Sequence, residues 1–202
     1  MDFVERTLVL IKPDGVRRGL VGEILARIER TGLAIVGLKL IQPTKDHARS
    51  HYPSTDIQLK QMGNKSLSTY AELNIDPKSE LGTADPREIG LMIHEWNAEF
   101  LASGPVVACV VKGVHAVKKV RSLCGKTIPL YAAPGTIRGD FSSSSPAIAN
   151  TQKSTVINLV HASDNENDPE EPEREISHWF SRQEILDHSL VDFSVMYPPN
   201  TK

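Results

Sequence analysis

The strongest constraint on the fold is an ordered set of four strand-sized apolar runs separated by helical patterns. The runs are Arg6–Lys12, Ala34–Ile41, Val106–Val111 and the stretch Val156–Val160, which His161 closes. Each is short and rich in β-branched residues, the signature of a buried strand. Between the first two, Leu20, Ile24, Leu25 and Ile28 share one face of a helix over Leu20–Thr31, and Gly32 suits its left-handed stop. Between the last two, His115–Cys124 points Val117, Val120 and either Cys124 or Leu123 inward, with Gly125 at its end. The order β-α-β-β-α-β predicts an α+β chain, a ferredoxin-like sandwich with an antiparallel sheet and its helices on one face.

Other segments interrupt this frame. Thr44 can cap a short helix running to His51 and Tyr52. Pro53 to about Ala84 carries turn-forming residues and little periodic apolar content, so it reads as irregular. Asp85-Pro86-Arg87-Glu88 starts a helix, with Asp85 as cap and Glu88 reaching back to it. Its expected buried face is Ile89, Met92, Ile93, Trp96 and Phe100. Lys126–Ser154 is a long Pro-, Gly- and Ser-rich stretch whose second half, Ser142–Ser154, looks flexible. Asp168-Pro169 opens an acidic helix bearing Glu175, Ile176, Trp179 and Phe180, and Ser181–Glu184 is a capping box for a last short helix. A tail past His188 is expected to lie extended on the surface. The whole reads as one domain over 1–202, with insertions about 53–85 and 142–154 and a tail about 189–202.

A formal net charge of -2 supplies no global basic field for nucleic acid, and aromatics are only 5%, which argues against a nucleic-acid-binding sheet face. An anion must therefore be held by local groups. No apolar run approaches membrane-spanning length and no signal segment opens the chain, so a cytoplasmic protein without membrane contact is expected. Cys109 and Cys124 have no metal-type spacing and read as reduced thiols. Gly125-Lys126-Thr127 imitates the end of a P-loop, but position 120 is Val120 and the segment follows a helix. Polyphosphate would then fall to side chains, with Lys12, Arg121 and Arg138 as candidates. His161 is the candidate nucleophile, because a neutral imidazole can attack phosphorus once a carboxylate fixes its tautomer. Glu175 is placed either for that task or as an exposed member of the run Glu170, Glu171, Glu173 and Glu175.

Four segments, in order, resemble nucleoside diphosphate kinase: E-R-T-L-V-L-I-K-P-D-G-V-R-R-G-L-V-G-E-I (Glu5–Ile24), S-G-P-V-V-A (Ser103–Ala108), P-G-T-I-R-G-D-F (Pro134–Phe141) and N-L-V-H-A-S-D (Asn158–Asp164). The resemblance implies a ping-pong reaction. A nucleoside triphosphate such as ATP or GTP passes its terminal phosphoryl group to His161, and a nucleoside diphosphate such as ADP or GDP collects it. It implies that Lys12, Arg121 and Arg138 bind phosphate, with Tyr52 beside the phosphate path and Thr127 bonding a phosphate oxygen. Asn158 would bond the ribose hydroxyls, and Ser163 and Glu175 would orient the histidine. Mg²⁺ is implied as the cofactor, held mainly by nucleotide phosphates with Asp164 as a further candidate. A homo-hexamer or homo-tetramer is implied as well. The alternative is a catalytically silent nucleotide-binding or scaffold relative.

Three departures stand out. Pro53–Ala102 is longer than the family's stretch, and the base-stacking phenylalanine has no secure counterpart; Tyr70, His94 and Trp96 are the candidates. Phe141–Asn158 is also longer, with Ser142–Ser145 and Pro146 inserted. Ala162 stands where the family usually has glycine.

Overall fold

The computed structural model describes residues 3–52, 54–166 and 168–186. The expected tail past His188 lies outside them. In chain order the elements are β1 (Val4–Ile11), α1 (Pro13–Arg17), α2 (Val21–Glu29), β2 (Ala34–Ile41), α3 (Lys45–His51), α4 (Asp56–Glu72), α5 (Pro77–Leu81) and α6 (Pro86–Ala102). They continue as β3 (Val106–Val114), α7 (Ala116–Cys124), α8 (Ile137–Phe141), α9 (Pro146–Thr151), β4 (Val160–Ala162) and α10 (Glu171–Trp179). Short 3₁₀ turns occupy Pro129–Tyr131 and Arg182–Glu184.

The four strands form one antiparallel sheet in the order β2-β3-β1-β4, the ferredoxin-like arrangement. Alternation along β1 divides the core. Val9 and Ile11 enter an aliphatic layer with Ile24, Ile28, Val120 and Cys124 of α2 and α7. Leu8 and Leu10 face Ala48, Ala98, Leu101, Ile176 and Trp179 of α3, α6 and α10. The two crossover helices therefore share one face, as expected. The other face is covered as well, by the remaining helices.

Local structure departs from the sequence reading in six places. Pro53–Ala84 is not irregular: α4 and α5 occupy most of it. The buried face of α4 is Leu59, Gly63, Ser66 and Tyr70, so helical spacing is present without an apolar pattern to announce it. At α6 the fully buried face is Ile89, Gly90, His94, Ala98 and Leu101, whereas Met92, Ile93, Trp96 and Phe100 are half-buried. The reason is a close crossing with α4. A methyl group on Gly63 would lie 1.8 Å from the Pro86 carbonyl oxygen, and one on Gly90 would lie 2.0 Å from that of Leu59. Glycine is needed at both positions for backbone approach. Asp85 does cap α6, accepting from Arg87 N and Glu88 N at 2.9 Å, but Thr83 rather than Glu88 accepts from Asp85 N.

Ser142–Ser154 is ordered into α9, which Ser145 caps. Asn150 there accepts from Ser66 Oγ at 3.0 Å, and its carbonyl accepts from Tyr70 Oη at 3.2 Å. The two expected insertions thus close on each other through a buried polar contact. The run before His161 is not a continuous strand: Ile157 is exposed, Leu159 has φ +68°, and only Val160–Ala162 pairs, so His161 sits within the strand. Finally, the last long helix starts at Glu171 rather than at Asp168, and Phe180 ends it in extended conformation. The capping box at Ser181 is present, on a 3₁₀ turn.

Candidate active site

The site begins where β1 ends. Lys12, Pro13 and Asp14 turn sharply, and both peptide groups of Leu159 are held there. Lys12 N donates to Leu159 O at 2.8 Å, and Leu159 N donates to Asp14 Oδ2 at 2.9 Å. Val160 N donates to Asn158 O at 2.7 Å, closing a γ-turn around the left-handed Leu159. This backbone is strained for a non-glycine residue, and the Lys12–Asp14 clamp maintains it. Gly15 permits the approach, since a methyl there would press on Ile11 and on Leu159 O.

The turn gathers the cations. Lys12 Nζ donates to Asn158 Oδ1 at 2.8 Å, and Asn158 Nδ2 donates to Thr127 O at 2.9 Å. Arg138 is buried and spreads over three carbonyls: Asn158 O at 3.2 Å, Gly125 O at 2.7 Å and Val160 O at 2.6 Å. Three of its five N–H groups are used, which leaves one on each terminal nitrogen. Burial, reinforced by the Arg138 guanidinium, brings the Lys12 ammonium down to about 8, against the opposing pull of Asp14.

His161 lies on β4 opposite Leu10, between Val160 and Ala162, which both enter the aliphatic layer. Its ring therefore points to the other face, toward α3 and α10. His161 Nε2 lies 2.8 Å from Glu175 Oε2, and Ser163 Oγ donates to the same oxygen at 2.5 Å. Burial alone would raise the Glu175 carboxyl, but His161, His51 and the Ser163 hydroxyl bring it down to about 2. Glu175 is thus a carboxylate at neutral pH, and Nε2 must carry the proton it accepts. The lone pair of His161 is then on Nδ1. Of the two readings of Glu175, the structure gives the one that serves the histidine. The side chain of His161 is 21% exposed, which keeps it within reach of a ligand.

Arg121 donates to Ala162 O at 3.4 Å and pairs with Asp164 at 2.8 Å, immediately beyond His161. Tyr52 is half-buried, and burial raises its phenol; its ring lies edge-on to His51, with centroids 4.9 Å apart. Thr127 is exposed and meets Asn158 through its carbonyl. Lys12, Arg138, Asn158 and Thr127 are therefore one connected group, and Glu175 and Ser163 share an oxygen beside His161. Ala162 is buried against Val9 without distortion of the pairing. Two of the base-stacking candidates are withdrawn. Tyr70 is 1% exposed and bonded to Asn150, and His94 is buried with its Nε2 on Tyr52 O. Trp96 is half-buried on α6.

Sequence reasoning overlooked Asp14, His51 and Trp179. The sequence places His51 at a helix end and Trp179 on the acidic helix, with no task assigned to either. Donor atoms of His51, His161 and Glu175 lie within 4.8 Å of one another, one metal-type grouping among the described residues. It does not suit Mg²⁺, which demands an octahedron of oxygens. Asp164 is likewise engaged, by Arg121 and by Glu166 N.

The sequence profile described as nucleoside diphosphate kinase matches residues 5–63 and 89–185. A nucleoside diphosphate kinase of Pyrobaculum aerophilum is 48% identical over 184 residues, covering 91% of this chain and 99% of that relative. The crystal structure of an NDP kinase from the same organism superposes with a TM-score of 0.88 at 47% identity, covering 91% of this chain and all of that one. A nucleoside-diphosphate kinase from Borrelia burgdorferi, a transition-state mimic with bound vanadate and ADP, has a TM-score of 0.73 at 33% identity and covers 96% of each chain. A Halobacterium salinarum enzyme in complex with CDP has a TM-score of 0.67 at 33% identity, covering 96% of this chain and 98% of that one. With profile, relatives and superposed structures in agreement, the chain belongs to the nucleoside diphosphate kinase family.

Proposed function

We propose that this nucleoside diphosphate kinase transfers phosphoryl groups through Nδ1 of His161. The observation that carries the reading is the 2.8 Å contact between His161 Nε2 and Glu175, which leaves Nδ1 as the ring's lone pair. Nδ1 attacks the terminal phosphorus of a nucleoside triphosphate. The P–O bond to the β-phosphate breaks, and the nucleoside diphosphate departs. The positive charge on the phosphorylated imidazole is balanced by Glu175, which Ser163 holds in place. A terminal oxygen of a second nucleoside diphosphate then attacks, the P–N bond breaks, and the free histidine returns.

Phosphoryl transfer needs mostly positioning and charge neutralisation. Lys12, Arg121 and the two spare N–H groups of Arg138 supply the charge, and Thr127 offers a hydroxyl to a phosphate oxygen. The Asn158 amide has one N–H and one lone pair left for ribose hydroxyls. Tyr52 walls the phosphate path. Because one site serves donor and acceptor in turn, the base is held by stacking, and ATP, GTP, ADP, GDP and related nucleotides are all accepted. The relatives with bound ADP and CDP support this breadth.

The family generally uses a divalent cation, and Mg²⁺ is our choice. No described protein cluster suits it, so the ion is carried by the nucleotide phosphates. A homo-hexamer or homo-tetramer is our reading of the assembly, supported by the exposed Leu38 and Leu40 on the edge strand β2, and light scattering tests it. Among the described residues no helix is long and apolar enough to cross a membrane. A cytoplasmic location fits the two buried free cysteines.

The test is incubation with γ-labelled ATP. Acid-labile, alkali-stable label on the wild type and none on His161→Ala is the expected result. An unlabelled wild type returns the chain to the silent-scaffold alternative.

A further inference from the structure

His51 is buried directly behind the reacting ring. Its ring meets that of His161 edge-on, with centroids 4.5 Å apart and planes at 86°. Its Nδ1 lies 3.8 Å from Glu175 Oε1, the carboxylate oxygen that His161 and Ser163 do not use. A His51 imidazolium would therefore compete with His161 for the same carboxylate. The geometry contains a device against this. The Trp179 indole N–H donates to His51 Nδ1 at 3.2 Å, and an indole can only donate. Nδ1 is thus held as an acceptor, and the proton of the neutral ring is on Nε2.

We propose that Trp179 is a positioning residue that keeps His51 uncharged, so that the Glu175 carboxylate serves His161 alone. The inference rests on the reading of His161 as the nucleophile. Burial also works in this direction and holds His51 well below the usual imidazole range. The groups facing His51 divide by element. His161 on β4, His178 on α10 and Lys12 just past the end of β1 oppose its protonation, whereas Glu175 on α10 favours it. His178 in turn stacks on His47 of α3 at 4.1 Å. Without the indole N–H, the pull of Glu175 meets a free Nδ1, and His51 gains a proton as pH falls. Glu175 is then shared, and the positive charge on the phosphorylated ring is less well balanced.

The experiment measures the rate of His161 labelling by γ-labelled ATP against pH, each protein normalised to its own alkaline plateau. Trp179→Phe keeps an aromatic ring and removes the donor. Its acid limb is expected to move upward by about one pH unit, the scale of a neighbouring-charge effect. The double variant Trp179→Phe/His51→Phe is expected to lose that displacement, because the competing ring no longer titrates. Superimposable profiles of wild type and Trp179→Phe overturn the proposal, as does a displacement that persists in the double variant. The second measurement needs no variant. Long-range ¹H–¹⁵N spectra of the wild type should show His51 as the neutral Nε2–H tautomer from pH 8 down to about 6, half a unit below the usual imidazole pKa. A His51 imidazolium signal in that range overturns the proposal even if the variants do not fold. If the wild type takes no label at all, the nucleophile assignment fails instead, so the two failures are separable.

Discussion

Two regions flank the half of the sheet that bears His161, and they are built on opposite terms. At the end of β1 the chain buries a lysine and an arginine together, holds Leu159 in a left-handed turn and places two imidazoles around one carboxylate. In the α4–α6 pair, by contrast, two helix backbones touch at Gly63 and Gly90, and Ser66, Tyr70 and Asn150 satisfy one another. The first region gives up stability to hold charge at the proposed phosphate site. The second supplies rigidity, and its one imidazole, His94, is buried and engaged by Tyr52 O. The difference teaches that strain and satisfaction can be sorted by region in one small domain.

The sharpest way to break this division is in the helical pair. Gly90→Leu drives a side chain into the Leu59 carbonyl and is expected to cost more than about 4 kcal/mol, measured as loss of cooperative thermal unfolding. The charged end should respond in the opposite sense. Lys12→Met is expected to lower kcat/KM by about 10²–10³, the scale of one lost charge-stabilising donor. It should also stabilise the fold by about 2 kcal/mol near pH 7, because a desolvated ammonium is gone. The folded protein binds the Lys12 proton less tightly than the unfolded chain does. Its cost is therefore complete below about 8 and fades as pH rises from there toward 10.5. Denaturant melts of both proteins across that window check the sign.

Glu175→Gln keeps the shape and removes the charge. Label should still form on His161, with the rate lower by about 10- to 150-fold, the equivalent of the 1.5–3 kcal/mol of a charged hydrogen bond. Rapid-quench labelling measures it. The smallest effect belongs to Asn150→Ala, which removes both side-chain bonds to Ser66, at its hydroxyl and its carbonyl, and leaves Tyr70 its backbone acceptor. It should cost about 1–2 kcal/mol of stability and leave the kinetics of labelling unchanged. Were it instead to slow labelling as much as Glu175→Gln does, the separation of the two regions would be wrong.

Much of the charged end was legible in the letters, because each chemical task proposed there demands one residue type. A nucleophilic imidazole, three cations and a carboxylate have few substitutes, and motif order locates them. The sheet was legible too, since β1, β2 and β3 are strand-length, largely apolar runs that each carry several β-branched residues. What escaped notice lacks such a signature. The inward face of α4 reads as two small residues, a leucine and a tyrosine, so no hydrophobic stripe marks it. The γ-turn at Leu159 hides inside an apolar run, and only Asp14 and Lys12, distant in sequence, create it. His51 and Trp179 belong to no local motif, because the groups that meet them come from α3, β4 and α10.

The Ser66–Asn150–Tyr70 contact has a bearing on the chain's history. It joins segments some eighty positions apart, and each satisfies polar atoms that the other buries. Shortening either alone would strand its counterpart in a dry pocket. Ancestors and engineered miniatures should accordingly possess both embellishments or neither, and a protein with just one would be expected to fill the gap with new aliphatic side chains.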